Sequence, residues 1–312
     1  MTGYGNIVNN QLIVNKILHR QQNDHKLASV LDKTRGNFKI NIVPVTVTIS
    51  SSNALKAQRT DIAVIDGPSF ISIAAAKDPI FTNNISSKKF FEYMSNNDFT
   101  LMGRDSINGD FTAANITVAP GGNCNQRMIS EFTPMVRQQL INVGRNPNSY
   151  GATVLIFDDN VYFQLGCPFN AYGTLGIPRD PHPSGMVWIL KLGYLGNFTA
   201  INHEMGHILG LMHSRSANLS TGVFFEYGDS ACTMGGNFKI FNSAQLRILG
   251  WGGEYTEITN FQNYNLFPLS SRSKRAKMIN GLQASYVVAR NLSGNPNGLL
   301  IYPQCLYEQF AI

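Results

Sequence analysis

The chain has 312 residues, of which 43% are hydrophobic and 14% charged, and its formal net charge is +6 at pH 7. This length and apolar content allow a sizeable buried core, which excludes a wholly disordered chain and favours one main domain with appended segments. The basic excess carries neither interleaved aromatic residues nor a binding motif, and the sequence has no run of roughly 20 apolar residues, so neither nucleic-acid binding nor a transmembrane segment is expected.

The amino-terminal residues 1–36 are polar. They lack the apolar central region of a secretory signal, and we interpret them as a loosely held arm or the remnant of a pro-segment. The main domain is predicted to span residues 37–255. Residues 256–312, which contain the strand-like segments 286–289 and 299–302, are predicted to form a β-rich carboxy-terminal extension.

The first part of the main domain shows strand and helix patterns in turn. Residues 43–49 carry Val or Ile at every second position, which predicts a strand, and Pro44 predicts that this strand lies at an edge or begins there. Residues 87–95 place aromatic and Met side chains on one helical face. Residues 111–118 alternate as a second strand should.

A further helix is predicted with two alternative starts. Thr133 can cap a helix that has Pro134 in its first turn and ends near Gly144. The helix can instead begin near Asn125 and kink at Pro134. The sequence leaves both alternatives open. Two apolar segments that follow are predicted as buried strands, namely residues 153–157 and 185–190.

The most informative feature is the segment HEMGHILGLMH, which places His203, Glu204, His207, Gly210 and His213 in the pattern HExxHxxGxxH. Residues four apart lie one turn above each other on an α-helix, so the first two histidines can hold one Zn²⁺ through ring nitrogens. Gly210 is expected to end the helix in a left-handed conformation, which allows His213 to return as the third ligand. Three protein ligands leave a fourth position open, as in catalytic zinc sites.

Glu204 lies beside the two helical histidines and is not expected to bind the ion. Zinc lowers the pKa of a bound water to around 7, and Glu204 can take the proton as this water attacks a peptide carbonyl. Ile201, Met205 and Ile208 project to the other side of the helix, where they can anchor it in a core. The motif therefore predicts a zinc-dependent endopeptidase with one catalytic Zn²⁺.

A turn-rich segment downstream ends in Met234 between small residues. HExxHxxGxxH followed by such a Met-turn is the metzincin signature, and the sequence resembles the gametolysin family of zinc endopeptidases in particular. The resemblance is carried by HEMGHILGLMHS, YGDSACTMG and FNSAQLRILGW, with GCPFNAYGTLG and MVWI upstream. It runs from about residue 88 to residue 301 and is strongest in residues 167–251.

The resemblance implies an α+β fold, namely a metzincin-like zinc protease domain with a mixed twisted sheet, an active-site helix and a Met-turn subdomain, followed by the β-rich segment. It implies that Met234 forms a hydrophobic floor beneath the metal histidines. Substrate is expected to add as an extra strand along an edge strand of the sheet. The candidate residues of this edge strand are Gly185, Met186, Val187, Trp188 and Ile189.

A zinc endopeptidase acting on a protein or peptide substrate is the leading prediction, and the resemblance suggests extracellular matrix or cell-wall glycoproteins as substrates. The alternative is a catalytically silent zinc-binding adhesion or structural protein on the same fold, although the intact Glu204 argues against it. A third hypothesis makes Cys124 or Cys167 a thiolate at the fourth zinc position of a latent form, whereas a disulfide or buried thiol is the simpler account.

The cysteines and the expected location are less informative. Cys124, Cys167, Cys232 and Cys305 permit three complete pairings, and free buried thiols are equally compatible with this number. The family resemblance suggests an extracellular protein, but no signal peptide is visible. Export by another route, a different native start and a role inside a cell therefore stay open, and the sequence does not predict an oligomeric state.

Overall fold

The computed structural model describes residues 2–8, 11–19, 34–49, 68–69, 71–119, 124–159, 161–162, 167–178, 184–190, 198–217, 224–229, 232–235, 240–251 and 263–265. The chain divides into two compact units, of which one is residues 34–212 and the other combines residues 1–33 with residues 213–312. The boundary after residue 212 lies inside the range 37–255 that the sequence analysis assigned to one domain.

The described strands and helices alternate along much of the chain. The strands are β1 Thr2–Val8, β2 Gln11–His19, β3 Gly36–Ile49, β4 Pro68–Ser69, β5 Phe99–Met102, β6 Asp110–Phe111, β7 Ala114–Val118, β8 Ala152–Phe157, β9 Ala171–Gly173, β10 Gly185–Ile189, β11 Ser216–Ala217, β12 Phe224–Phe225 and β13 Asn263–Asn265. The helices are α1 Ile73–Lys77, α2 Ser87–Ser95, α3 Cys124–Arg127, α4 Thr133–Asn142, α5 Phe198–Ile208 and α6 Ser243–Leu249. None of these described helices has both the length and the apolar character that crossing a bilayer requires.

The unit formed by residues 34–212 contains a mixed, mostly parallel sheet. β8 pairs parallel with β3, β10 pairs parallel with β8, and β9 pairs antiparallel with β10. β5, β6 and β7 also pair parallel with β3, whereas β4 pairs with it antiparallel. The expected combination of helices with a mixed sheet is therefore confirmed.

The prediction that Pro44 marks an edge strand is wrong, because β3 has neighbours on both sides. The carbonyl of Ile42 accepts a hydrogen bond of 3.0 Å from the N–H of Thr112, on the side where β6 and β7 lie. Alternate residues direct their backbone groups to the same side, so the nitrogen of Pro44 faces that side too. Pairing with β6 ends at Ile42 and pairing with β7 begins at Val45. Pro44, which has no N–H to donate, lies between these two paired segments, where no hydrogen bond is required of it.

Helices cover both faces of this sheet, as β10 shows. The indole N–H of Trp188 donates a buried hydrogen bond of 2.8 Å to the hydroxyl of Thr133 in α4. Gly185 faces the other way, because a Cβ placed on it would lie 2.1 Å from the side chain of Ile208 in α5. Side chains of a strand alternate between faces, so α4 and α5 lie on opposite faces. Every residue of β8, the neighbour of β10 in the sheet, is buried, which confirms the predicted buried strand at 153–157.

The helical run that contains α3 and α4 settles the two alternative starts. A π-helical turn, Met128–Phe132, joins α3 to α4, and the residue before Thr133 is already helical with φ −67° and ψ −46°. The helix therefore begins near Asn125, and the wider π-turn directly precedes Pro134, whose ring and missing N–H would interrupt an α-helical ladder. Gly144 follows the helix with φ +74°, as predicted for its end.

Two other elements of this unit also bear on the predictions. α2 spans Ser87–Ser95, as the sequence predicts, and it buries Phe91 and Met94. The strand predicted at residues 111–118 is divided into β6 and β7, which pair with successive parts of β3. The strand predicted at residues 43–49 is part of the longer β3.

A disulfide joins Cys124 at the start of α3 to Cys167, which precedes β9. Both sulfurs are used in this bond, so the hypothesis that either cysteine supplies a thiolate to the fourth zinc position is wrong. Cys232 is a free and buried thiol. Cys305 lies outside the described residues.

The other unit contains strands from the first 19 residues and from residues 216–265. β2 pairs antiparallel with β1 on one side and with β13 on the other. The region 1–36, predicted as a loosely held arm, thus contains two paired strands. β11 and β12 form a second antiparallel pair. The strands predicted at residues 286–289 and 299–302 lie outside the described residues.

Candidate metal centre

The helix α5 carries the first part of the HExxHxxGxxH motif and is anchored by apolar side chains. It contacts β9 and β10. Ile201, Met205 and Ile208 are all buried, as predicted from their spacing on the helix. Because this side of the helix is fixed in the core, the direction of His203 and His207 is fixed as well.

Gly210 ends this helix in the predicted left-handed conformation, with φ +84°. The N–H of Gly210 bonds to the carbonyl of His207 and the N–H of Leu211 bonds to the carbonyl of Gly206, both at 2.9 Å. These two bonds define a Schellman motif. A Cβ on Gly210 would also lie 2.3 Å from the nitrogen of Pro178, so both the backbone conformation and the available space require glycine.

Three histidines form a group that could hold a metal ion. The ligand atoms offered by His203, His207 and His213 all lie within 4.8 Å of one another. The rings of His203 and His207 meet edge to face, with centroids 4.9 Å apart. Imidazole donors suit zinc and other first-row transition metals, whereas Mg²⁺ and Ca²⁺ prefer oxygen ligands.

Hydrogen bonds fix two of these rings at the nitrogen Nδ1. Nδ1 of His207 lies 2.7 Å from the carbonyl oxygen of Leu211. A carbonyl oxygen can only accept, so this nitrogen carries the proton and Nε2 is the atom that can bind a metal. Nδ1 of His213 lies 2.8 Å from Oε1 of Glu226, which has the same consequence. Such contacts orient metal-binding imidazoles and fix their tautomer.

Glu204 is a buried carboxyl group on the same helix, only 7% exposed. Burial raises the pKa of Glu204 to about 8, because desolvation disfavours the charged form. The backbone of β9 lies directly against it. A Cβ on Gly173 would lie 2.9 Å from the carbonyl oxygen of Glu204 and 3.0 Å from its carboxylate Oε2. A pKa near neutrality is suited to a group that transfers protons.

The candidate edge strand is corrected by the sheet topology. β10 pairs with β8 on one side and with β9 on the other, and the N–H of Thr174 bonds to the carbonyl of Met186 at 2.9 Å. The segment predicted as an edge is therefore interior: Gly185, Met186, Val187, Trp188 and Ile189. Among the described strands, β9 is the edge strand on this side of the sheet. The sequence does not reveal β9 because it has three residues in a segment rich in Gly, Pro and Asn, a composition typical of loops.

Met234 is fully buried in a 3₁₀ turn, Thr233–Gly235. Its carbonyl accepts a hydrogen bond of 2.9 Å from the N–H of Ser214, which directly follows His213. A Cβ on Gly235 would lie 2.0 Å from the carbonyl oxygen of Asp229, so the turn is closely packed. The backbone of the Met-turn is thus bonded to the chain beside His213, and the location of the Met234 side chain beneath the imidazoles stays a prediction.

Sequence reasoning assigned no role to three residues that the structure places at the motif. Glu226 bonds to His213, the ring of Tyr227 lies against the same imidazole, and Gly173 lies against Glu204. Glu226 and Tyr227 belong to the segment used for the family resemblance. Glu226 and Asp229 are the two acidic residues between the third histidine and Met234, and they were the available signal, since the chain has only 19 acidic residues.

No protein-family model matches this sequence, and no curated protein is similar to it at a significant level. The likeness to the gametolysin family therefore rests on the motifs quoted above.

Proposed function

We propose that this protein is a zinc-dependent endopeptidase of the gametolysin-like metzincin type. His203, His207 and His213 would hold the ion, and Glu204 would transfer the proton. The observation that carries the proposal is the convergence of three imidazoles within 4.8 Å, from the two ends of an HExxHxxGxxH motif that also contains Glu204. A site with three histidine ligands keeps a position open for chemistry, whereas a structural zinc site has four protein ligands.

The residues of this chain account for the proton movements of peptide hydrolysis. A bound Zn²⁺ supplies Lewis-acid activation of water and stabilises negative charge on the substrate carbonyl oxygen. Glu204 accepts a proton from the attacking water and donates it to the nitrogen of the leaving amine. Burial raises the pKa of this carboxyl to about 8 in the metal-free site. The positive charge of a bound Zn²⁺ would lower this pKa again, so that the group could accept a proton at neutral pH. No serine or cysteine nucleophile is needed.

Substrate is proposed to add to the edge strand β9. Asn170 and Thr174 use their backbone groups toward β10, through bonds with Leu190 and Met186. In an antiparallel pair these groups alternate in direction, so Ala171 and Gly173 direct theirs to the outer edge. A peptide that pairs with them as an extra strand passes beside Glu204, because the backbone of Gly173 lies against that residue.

The finer assignment draws on the family resemblance. The mixed sheet, the helix that carries the motif and the buried turn at Met234 support a metzincin-like arrangement. The resemblance adds matrix or cell-wall glycoproteins as the substrate class and an extracellular location. Both belong to the proposal.

The test combines metal analysis with a peptide-library cleavage assay. The purified protein should contain about one Zn²⁺ per chain. Cleavage should stop on chelation and return when zinc is restored. Glu204→Gln should keep the zinc and lose hydrolysis by a factor of at least about 10², because only the proton-transfer group is removed.

Three outcomes would contradict this proposal. A folded preparation that neither contains nor takes up zinc would remove the metal site. A Glu204→Gln variant with most of its activity would remove the mechanism. Zinc binding without cleavage of any library peptide would favour a silent adhesion or structural protein.

A further inference from the structure

Glu226 forms a hydrogen bond with His213, one of the three histidines that could bind a metal ion. Oε1 of Glu226 lies 2.8 Å from Nδ1 of His213. A carboxylate accepts and does not donate, so the imidazole donates its Nδ1–H and presents Nε2 for coordination. The side chain of Glu226 is 57% exposed while that of His213 is 19% exposed, so the carboxylate reaches the ring from the solvent side.

A short hairpin brings these two residues together. β11 and β12 pair with Ser216 opposite Phe225 and Ala217 opposite Phe224. His213 precedes the first of these strands and Glu226 directly follows the second, so the pairing returns the chain to the imidazole. The N–H of Asp229 then bonds to the carbonyl of Ser214 at 3.1 Å, which extends the contact beyond the two strands.

Tyr227 adds a second contact with the same imidazole. Its ring centroid lies 4.2 Å from that of His213, with 42° between the ring planes. An acceptor at Nδ1 and an aromatic ring against the imidazole together restrict the rotation of His213. Two consecutive residues of one turn therefore hold one metal ligand.

The need for such a support follows from the place of His213 in the chain. His207 lies in α5, and its Nδ1 bonds to the carbonyl of Leu211, which the helix-ending turn already fixes. His213 follows that turn and belongs to no described helix or strand. Its orientation depends on side chains that arrive from elsewhere in the sequence.

We propose that Glu226 is a positioning residue for the metal ligand His213. It holds the Nδ1–H tautomer, directs Nε2 toward the ion and increases the basicity of the ring, as carboxylate partners of metal-binding histidines do. This inference rests on the proposed function, because it takes the three-histidine group as the zinc site. It predicts that metal affinity depends on a carboxylate that itself does not bind the ion.

The experiment measures Zn²⁺ affinity by competition with a chromophoric chelator. Glu226→Ala should weaken Zn²⁺ binding by about 10- to 100-fold, the usual effect of removing such a partner. Glu226→Gln keeps an acceptor oxygen and should recover part of the affinity. The thermal midpoint of the metal-free protein should change little in either variant, because the Glu226 side chain is largely exposed.

The matched control is Glu131→Ala. Glu131 is also an exposed carboxylate, but its partner is Arg127 on the same helical run. Its removal should leave Zn²⁺ affinity unchanged. Wild-type affinity in Glu226→Ala, within about twofold, would overturn the inference, and so would an equal loss in both alanine variants.

The two proposals fail in distinguishable ways. A wild-type protein that binds zinc and cleaves peptides, with a Glu226→Ala variant of the same affinity, would overturn only the role of Glu226. A wild-type protein that binds no zinc would overturn the proposed function and this inference with it.

Discussion

Glycine at position 173 allows the backbone of β9 to approach Glu204. A Cβ at this position would lie 2.9 Å from the Glu204 carbonyl oxygen, closer than real Cβ contacts come. The backbone carbonyl cannot rotate away as a side chain can, so β9 or the helix would have to shift. The absent side chain therefore sets how closely the backbone of β9 approaches Glu204, the proposed proton-transfer group.

We expect Gly173→Ala to lower kcat/KM by about 10- to 100-fold, because a displacement near 1 Å at a reacting group can cost this much. Zinc content should stay at the wild-type level. Steady-state kinetics and metal analysis on the same preparation test both statements. Leu175→Ala is the control, since it removes an exposed side chain two residues away. Wild-type kinetics in Gly173→Ala would show that the close approach has no catalytic role.

Met234 tests the metzincin-like assignment. The residue is fully buried, so Met234→Leu, which nearly conserves volume, should change the free energy of unfolding by less than about 1.5 kcal/mol. Met234→Ser should weaken zinc binding through lost packing beneath the imidazoles. Chemical denaturation and chelator competition measure the two effects. Zinc affinity that is identical in Met234→Ser and the wild type would argue against a floor beneath the site.

At the scale of elements, features that depend on neighbouring residues could be predicted from the sequence, whereas pairings between distant segments could not. The bounds of α2, the burial of β8 and the left-handed end at Gly210 follow from spacing and from one residue type. The prediction that β10 lies at the edge of the sheet is wrong because of β9, a three-residue strand that pairs with its outer side. The interior position of Pro44 likewise depends on where β6 ends and β7 begins.

The residues of the candidate site also divide into those that the sequence identifies and those that only the fold brings together. The motif identifies His203, Glu204, His207 and His213, because their chemistry and spacing are written in one short segment. The contact between Glu226 and His213 depends on the hairpin of β11 and β12, whose strands have two residues each and no strong pattern. Short tertiary contacts of this kind are determined by the fold and leave little trace in the sequence.

The disulfide between Cys124 and Cys167 joins the start of α3 to the segment before β9, with 43 residues of sequence separation. Closing a loop of this length lowers the entropy of the unfolded chain and is worth about 4 kcal/mol at most in the chain-entropy account. The free energy of unfolding of the variant Cys124→Ser/Cys167→Ser should therefore be lower by about 2 to 4 kcal/mol. Chemical denaturation would show this as a lower midpoint concentration of denaturant.

This prediction separates stability from metal binding. Neither cysteine belongs to the histidine group, so the folded double variant should keep its zinc and lose it no more readily to a chelator. Cys232→Ser is the control for loss of a thiol, since Cys232 is buried and forms no disulfide. Unchanged stability after loss of the disulfide would contradict the expected constraint.

At the scale of the whole molecule, the two compact units of the chain divide after residues 33 and 212, whereas its composition predicts limits after residues 36 and 255. β1 and β2 from the first residues pair with β13 from the last part of the described chain. No local pattern in the sequence predicts a pairing between segments so far apart. The polar character of residues 1–36 therefore indicated a loose arm, where the structure has two strands of an antiparallel sheet.

Zinc should stabilise the whole protein, because the unfolded chain cannot hold three imidazoles within 4.8 Å of one another. Binding only to the folded state raises the free energy of unfolding by about 2.7 kcal/mol when free zinc is 100 times its Kd. The melting temperature should rise with zinc concentration. Protons compete with the ion for the ring nitrogens, so this increase should shrink as the pH falls. Differential scanning calorimetry with buffered zinc measures it.

Two variants make this last test specific to the histidine group. His207→Ala should lose the zinc-dependent rise in melting temperature, because it removes one of the three proposed ligands. Glu204→Gln should keep the rise, because the proposed role of Glu204 is to transfer the proton and not to bind the ion. A melting temperature that responds equally to zinc in His207→Ala and in the wild type would place the ion elsewhere on the molecule and remove the physical basis for the proposed hydrolysis.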